Sequence, residues 1–469
     1  MTKNRSIPTA LVAALMLAGC SLIPTYERPA APVPTVFPGD PTQPAGPAAA
    51  SVAWQSFFTD PRLAKLIDTA LANNRDLRVS VLNIEQARAQ FQVQRSALFP
   101  AVGVTGSGSR SSPNPFAAFS SDIPSVSSQY SVSLGFTAWE LDFFGRIRAL
   151  KDTALAQYLA TEESRKAAQI SLIGAVANGW LTLLADDELL EITRQTLATR
   201  EDTLRLTKMR FDNGVSSEID YQLSNSLAET ARATYAQQQR TRLQDENALA
   251  LLLGAPVPAE ALAGGKGLAS AAPMPDVPAG LPSDLLTERP DIRAAEQQLI
   301  ANNASIGAAR AAFFPRISLT TSIGTASTQF SNLFDSGTKA WSFAPQITLP
   351  IFEAGRNQAN LDSARAGREI AVAQYEKSIQ SAFREVADAL AGRVTLGEQA
   401  RALRATAEAE GVRYRLSDLR YRNGIASSLD LLDSQRSLFT AQQSAVQVRL
   451  LQLQNQVTLY KALGGGWKE

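Results

Sequence analysis

Residues 76–100 read DLRVSVLNIEQARAQFQVQRSALFP and residues 291–315 read DIRAAEQQLIANNASIGAARAAFFP; without a gap, seven of the 25 positions are identical at an offset of 215. A second pair, RFDNGVSSEID at 210–220 and RYRNGIASSLD at 420–430, matches at five of 11 positions with an offset of 210. Gly145-Arg146 with Gly355-Arg356, and Leu253-Gly254 with Leu463-Gly464, share that second offset. Self-similarity over so long a period means one structural unit built twice. The offset changes by five residues between 100 and 145, where the chain alternates and then loops.

Each copy runs in the same order. A helix of about 23 residues ends where proline and its predecessor leave the helical region, at Pro100 or Pro315. Period-2 segments follow: Tyr130, Val132, Leu134, Phe136 and Ala138 alternate with Ser131, Ser133, Gly135 and Thr137, and Ile317, Leu319, Thr321 and Ile323 with Ser318, Thr320, Ser322 and Gly324. Strands are expected at about 101–111, 128–140, 316–326 and 340–352. One apolar and one small polar face over nine to eleven residues suits a membrane barrel strand, although alternation alone equally suits a half-buried soluble hairpin.

Residues 146–211 and 356–421 hold no proline and are rich in Ala, Gln, Arg, Glu and Leu. As helices each would be roughly 100 Å long, beyond anything a compact globule accommodates. Each ends at Asn213-Gly214 or Asn423-Gly424, a left-handed turn signal, and Ser217 to Asp220 and Ser427 to Asp430 are spaced as capping boxes for return helices of about 37 residues. The domain reading is a signal peptide at 1–19, a Pro/Ala-rich segment at 20–60, a first repeat at 61–254, a connector at 255–290 and a second repeat at 291–469.

Composition excludes much chemistry. The 469 residues contain no histidine and one cysteine, so there is no Ser/His/Asp or Cys/His arrangement, no His-based metal site and no intramolecular disulfide. With 45 Lys+Arg against 44 Asp+Glu the chain offers no electrostatic footprint for nucleic acid. No cofactor is expected, and Gly264-Gly265-Lys266-Gly267 is too short a match for a phosphate loop. The cysteine closes Leu17-Ala18-Gly19-Cys20 after a basic start (Lys3, Arg5) and an apolar run too short to span a bilayer. An ordinary signal peptide could carry such a cysteine. The box resembles that of bacterial lipoproteins, a reading that the cysteine's uniqueness and place at the junction favour; the resemblance implies a mature chain that begins at lipid-modified Cys20, and Ser21 in place of Asp implies release to the outer membrane.

Four strands per chain cannot close a barrel, and an open sheet edge in lipid is prohibitive, so copies must join as a dimer of eight strands or a trimer of twelve. The lipobox followed by SLIPTYERP at 21–29, TAWELDFFGR at 137–146, ANNASIGAARAAFFP at 301–315, LLDSQRSLF at 431–439 and YKALGGGW at 460–467 resemble the TolC-type outer-membrane efflux channels, in their acylated OprM-like branch. The resemblance covers the chain from Cys20 onward. It implies a mainly α fold with membrane β, in which a homotrimer forms a 12-stranded β-barrel continuous with a long α-helical barrel. The implied task is that of exit duct in a tripartite pump, with a periplasmic adaptor (membrane fusion) protein and an inner-membrane transporter of the RND type.

The same resemblance assigns residues. Gly214, Val215, Gly424 and Ile425 match the tip positions that meet adaptor hairpins. Asp430 and Asp433 match aperture aspartates, with Leu429 as a hydrophobic ring beside them, Arg436 placed to pair with Asp433, and Asp220 and Tyr421 as partners holding the tip closed. Acids in a first helical turn also complement the helix dipole. Ala426 stands where the family often has a basic or polar residue. The alternative function is a periplasmic adaptor or scaffold lipoprotein, but adaptors carry one hairpin between soluble β domains, not two hairpins in a duplication.

Overall fold

The computed structural model describes residues 21–38, 49–112, 126–263, 267–280 and 282–467. The signal segment, Cys20 and Gly264 to Lys266 lie outside the described residues. Eleven principal elements follow in order: α1 (Pro61–Asn73), α2 (Arg75–Ser96), β1 (Gly103–Ser111), β2 (Ser127–Leu141), α3 (Arg146–Asp212), α4 (Glu218–Leu253), α5 (Pro290–Ala311), β3 (Arg316–Ser327), β4 (Lys339–Thr348), α6 (Arg356–Arg422) and α7 (Ser428–Ala462). The fourth strand stops at Thr348, four residues short of the expected 352, because Pro350 cannot donate to a ladder. The long helices α3 and α6 each have 67 residues.

The duplication is written into the backbone. Glycines with positive φ recur at the offset of 210: Gly145 and Gly355 before the long helices, Gly214 and Gly424 (both φ 72°) at the hairpin turns, and Gly254 and Gly464 after the return helices. The chain divides into two compact units, one taking residues up to 30, 83–161 and 294–375, the other taking 31–82, 162–293 and 376–469.

In the first unit the four strands form one antiparallel sheet in the order β1-β2-β3-β4, so the β2–β3 pairing joins the two repeats. Register aligns Val104, Leu134, Ile323 and Trp341 in one row across all four strands, and Gly103, Gly135, Ser322 and Ser342 in the adjacent row on the other face. The apolar row is exposed, Trp341 at 74% and Val104 at 72%. The other face is stitched by serine pairs, Ser107 to Ser131 (2.7 Å) and Ser322 to Ser342 (2.8 Å). A Cβ on Gly135 or Gly324 would come within 2.1 Å of the Thr321 carbonyl or 2.0 Å of the Val132 carbonyl, so β2 and β3 approach closely on the small-residue face. The expected alternation does not continue to Ala138: a bulge between Phe136 and Trp139 puts this residue at φ 52°, where its N–H finds Thr320 Oγ1 at 2.9 Å. After the sheet, Asp142 accepts the N–H groups of Ile147 and Arg148, capping α3, and Glu140 takes both arms of Arg146.

In the second unit α1 is a short amphipathic helix. Asp60 caps it at the Arg62 N–H, Pro61 fits its first turn, and Leu63, Leu66, Ile67 and Ala70 are its buried stripe. Also buried in this unit are Phe57, Trp180, Leu183, Leu184, Leu249 and Leu253, with Phe57 stacked on Tyr460 at 4.0 Å. Part of α3 is apolar and long enough to cross a membrane, but 61% of that window is buried inside the chain, so it serves this core. Apolar side chains on α2 have no such cover: Val79, Leu82 and Val93 are exposed, and the helix buries none of its residues.

Candidate site at the helical-hairpin turns

Both hairpin turns close by the same mechanism. The Val215 N–H reaches the Arg210 carbonyl (2.8 Å) and the Gly214 N–H the Phe211 carbonyl (2.9 Å); Ile425 and Gly424 do the same to Arg420 and Tyr421 (2.8 and 3.0 Å). This six-to-one and five-to-two pairing demands a left-handed residue, which glycine supplies. Two complete capping boxes then start the return helices: Ser217 with Asp220, and Ser427 with Asp430. Val215 and Ile425 stand 75% and 68% exposed beside the glycines, and Leu429 is 64% exposed. Gly214, Val215, Gly424 and Ile425 therefore present an uncovered surface at two matched turns.

Although the two capping aspartates are equivalent in sequence, their surroundings differ. Among the described residues Asp430 bonds only its own box, to the Ser427 N–H (3.3 Å) and hydroxyl (2.9 Å). Asp220 does the same for Ser217 and also accepts the Ser428 hydroxyl from the other hairpin. The Ser428 and Ser217 hydroxyls hold its carboxyl below the usual aspartate range. A second link across the hairpins is aromatic: the Arg210 guanidinium lies 4.7 Å from the centre of the buried Tyr421 ring. Asp220 and Tyr421 thus meet the opposite hairpin through Ser428 and Arg210, two partners that spacing within either repeat does not reveal.

Asp433 does not stand with Asp430. Its carboxylate is clasped between Arg413 of α6 and Arg436 of α7, the latter at 2.6 Å, and Arg413 also reaches Glu410 at 3.0 Å. The Arg413 hydrogen bond is the main reason its carboxyl lies below the usual range. The Asp430 carboxylate thus faces its own cap, while Asp433 has the expected pairing with Arg436 and gains a second arginine from α6. Arg413 sits 20 residues upstream on another helix, and its counterpart in the first repeat is Thr203, so the duplication gives no sign of it.

A different carboxyl group lies between α3 and α4. Asp186 is buried, accepts the Gln238 amide at 3.0 Å and faces Asp245, while Arg242 is committed to Asp187 and Glu246. Burial first, and the Asp245 carboxyl second, push Asp186 up to about 7. Among the described residues no group of three or more His, Cys, Asp or Glu side chains is arranged to hold a metal ion.

A sheet with one bare apolar face and one serine-lined face, two 67-residue helices and a duplicated hairpin are the architecture of an outer-membrane transport channel, the class to which the comparisons assign the chain. The chain matches the outer membrane efflux protein family over residues 66–255 and 281–465, and it belongs to that family. It is 49% identical over 470 residues to the probable efflux pump outer membrane protein TtgC of Pseudomonas putida, covering 99% of this chain and 96% of that one. It is 45% identical over 461 residues to outer membrane protein OprJ of Pseudomonas aeruginosa, covering 98% and 96%. Among solved structures, the open state of the MtrE outer membrane channel of Neisseria gonorrhoeae superposes with a TM-score of 0.86 at 42% identity, over 96% of this chain and 99% of that one. The protein is an outer-membrane efflux channel with a periplasmic extension, the exit component of an efflux pump.

Proposed function

We propose that three copies of this chain form a passive duct, gated at its helical-hairpin turns, through which drugs and other small molecules leave the cell. The observation that carries this reading is the four-stranded sheet. Its apolar row of Val104, Leu134, Ile323 and Trp341 faces outward with no cover, and neither β1 nor β4 has a second neighbour within the described chain. Such a face suits lipid, and such edges must be paired by further copies. Twelve strands from three chains follow the family resemblance, and the bare apolar side chains of α2 supply further surface for neighbours.

A periplasmic adaptor docks at Gly214, Val215, Gly424 and Ile425, joining the duct to an inner-membrane transporter of the RND type. Cys20 carries the lipid. The periplasmic gate takes in Asp220, Tyr421, Leu429, Asp430, Asp433 and Arg436. The protein transforms nothing and needs no cofactor. Its test is electrical: the purified full-length protein in a planar bilayer should give discrete conductance steps, with a trimer mass by light scattering in detergent. A monomer without conductance would overturn the reading.

A further inference from the structure

The segment after the lipidation site is a strap with a built seat. Glu296, 7% exposed on α5, accepts the Arg28 guanidinium on both oxygens (2.7 and 2.9 Å) and the Tyr26 hydroxyl (3.0 Å). About two turns further along the same helix each time, Asn303 donates to the Pro24 carbonyl (2.7 Å) and Arg310 to the Leu22 carbonyl (3.2 Å). Between them Gly307 leaves room for Ile23: a Cβ there would lie 2.5 Å from Ile23 Cγ1. Burial and the Glu296 carboxylate both raise the Tyr26 hydroxyl above its ordinary range, the mark of a desolvated seat rather than a passing contact.

The spacing is that of an extended chain laid antiparallel on a helix. From 296 to 310 the helix rises roughly 21 Å, and the six steps from Arg28 back to Leu22 span about 20 Å when extended. Each residue toward the N-terminus therefore moves toward the end of α5 at Ala311, five residues before β3 begins at Arg316.

We infer that this strap is a positioning device for the lipid anchor: Glu296, Asn303 and Gly307 fix residues 22–28 in register on α5, so that acylated Cys20 is delivered at the junction where helix gives way to membrane strand. The inference rests on the lipidation reading. It explains why a salt bridge with one partner buried occurs in a segment that a mere tether would leave free. A buried carboxylate without its arginine is costly, so the register depends on the pair.

The test uses the full-length chain with its own signal segment, isolated from outer membranes. Spin labels at the exposed positions Thr25 and Gln298 should give a narrow distance distribution. Arg28→Glu should broaden it and deplete outer-membrane-inserted protein severalfold, and adding Glu296→Arg should restore both. Gly307→Leu, which leaves the ion pair in place, should also broaden the distribution by displacing Ile23. In a Cys20→Ala background, Arg28→Glu should release the strap without further loss of insertion, since no lipid remains to be placed. Equal loss in both backgrounds would make the strap merely structural and overturn the inference, as would unchanged insertion by an acylated chain with a released strap. The mass of the mature N-terminal peptide reads the lipid separately. An unmodified Cys20 refutes the lipidation reading and the anchoring role together, while the distance measurement still shows whether Glu296 holds the strap.

Discussion

Asp220 and Asp430 form a natural controlled experiment, because duplication gave both hairpins the same capping box and only one of them a bond to the other hairpin. Asp430→Ala removes a cap and should cost about 1 kcal/mol, confined to fraying of α7 at its start. Asp220→Ala removes an equivalent cap and also the Ser428 hydrogen bond. A charged hydrogen bond contributes about 1.5–3 kcal/mol when well shielded, and at this largely solvated site roughly 1 kcal/mol is the fitting figure. The excess for Asp220 is therefore about fivefold in the ratio of separated to clasped hairpins. Spin labels at the exposed Val215 and Ile425, read by pulsed EPR, report that ratio directly. Ser428→Ala should reproduce the excess alone and add nothing to Asp220→Ala. Equal broadening by the two aspartate variants, or full additivity of Ser428→Ala with Asp220→Ala, would refute the claim that this bond joins the hairpins. Since the Asp220 pKa is depressed, its contribution is intact above the unfolded value near 4 and is lost only as pH falls through the lower folded value. From pH 5 to 8 the clasp should not respond.

Asp433→Ala should lower the cation preference of the conductance more than Asp430→Ala, because it unmasks Arg413 and Arg436 as well as deleting a carboxylate; equal shifts in reversal potential would contradict this. Asp186 titrates in the opposite sense to Asp220. Its folded pKa is raised to about 7, so proton binding stabilises the first hairpin fully below about pH 4 and the benefit fades as pH rises to 7. Melting temperature should fall over that interval, and Asp186→Asn should flatten the slope. Brominated phospholipid should quench Trp341 on the bare sheet face and leave buried Trp180 untouched, so Trp341→Phe should abolish much of the quenching while Trp180→Phe should not.

Much of this was legible from residue order. The Asn-Gly turns, the capping boxes and the prolines that end α2 and α5 are local signals whose physics acts within a few residues, and the positive-φ glycines recur at the spacing the duplication implies. Strand alternation fixed which side chains share a face because Cβ atoms point alternately whatever the partner. It could not say which strands would be neighbours, or that β2 and β3, nearly 200 residues apart, would tie the repeats together.

The chain's sequence determined by itself the repeat, the element order, the helix ends and the two-faced character of the strands, because each depends on backbone sterics and nearest neighbours. Only the tertiary structure decided what each charge does. It separated Asp220 from Asp430, added Arg413 to the Arg436 already expected beside Asp433, left Asp186 beside Asp245, and seated Arg28 on a glutamate 268 residues away. Coulomb and hydrogen-bond energies depend on distance and burial in space, and those are set by packing between segments that share no local pattern.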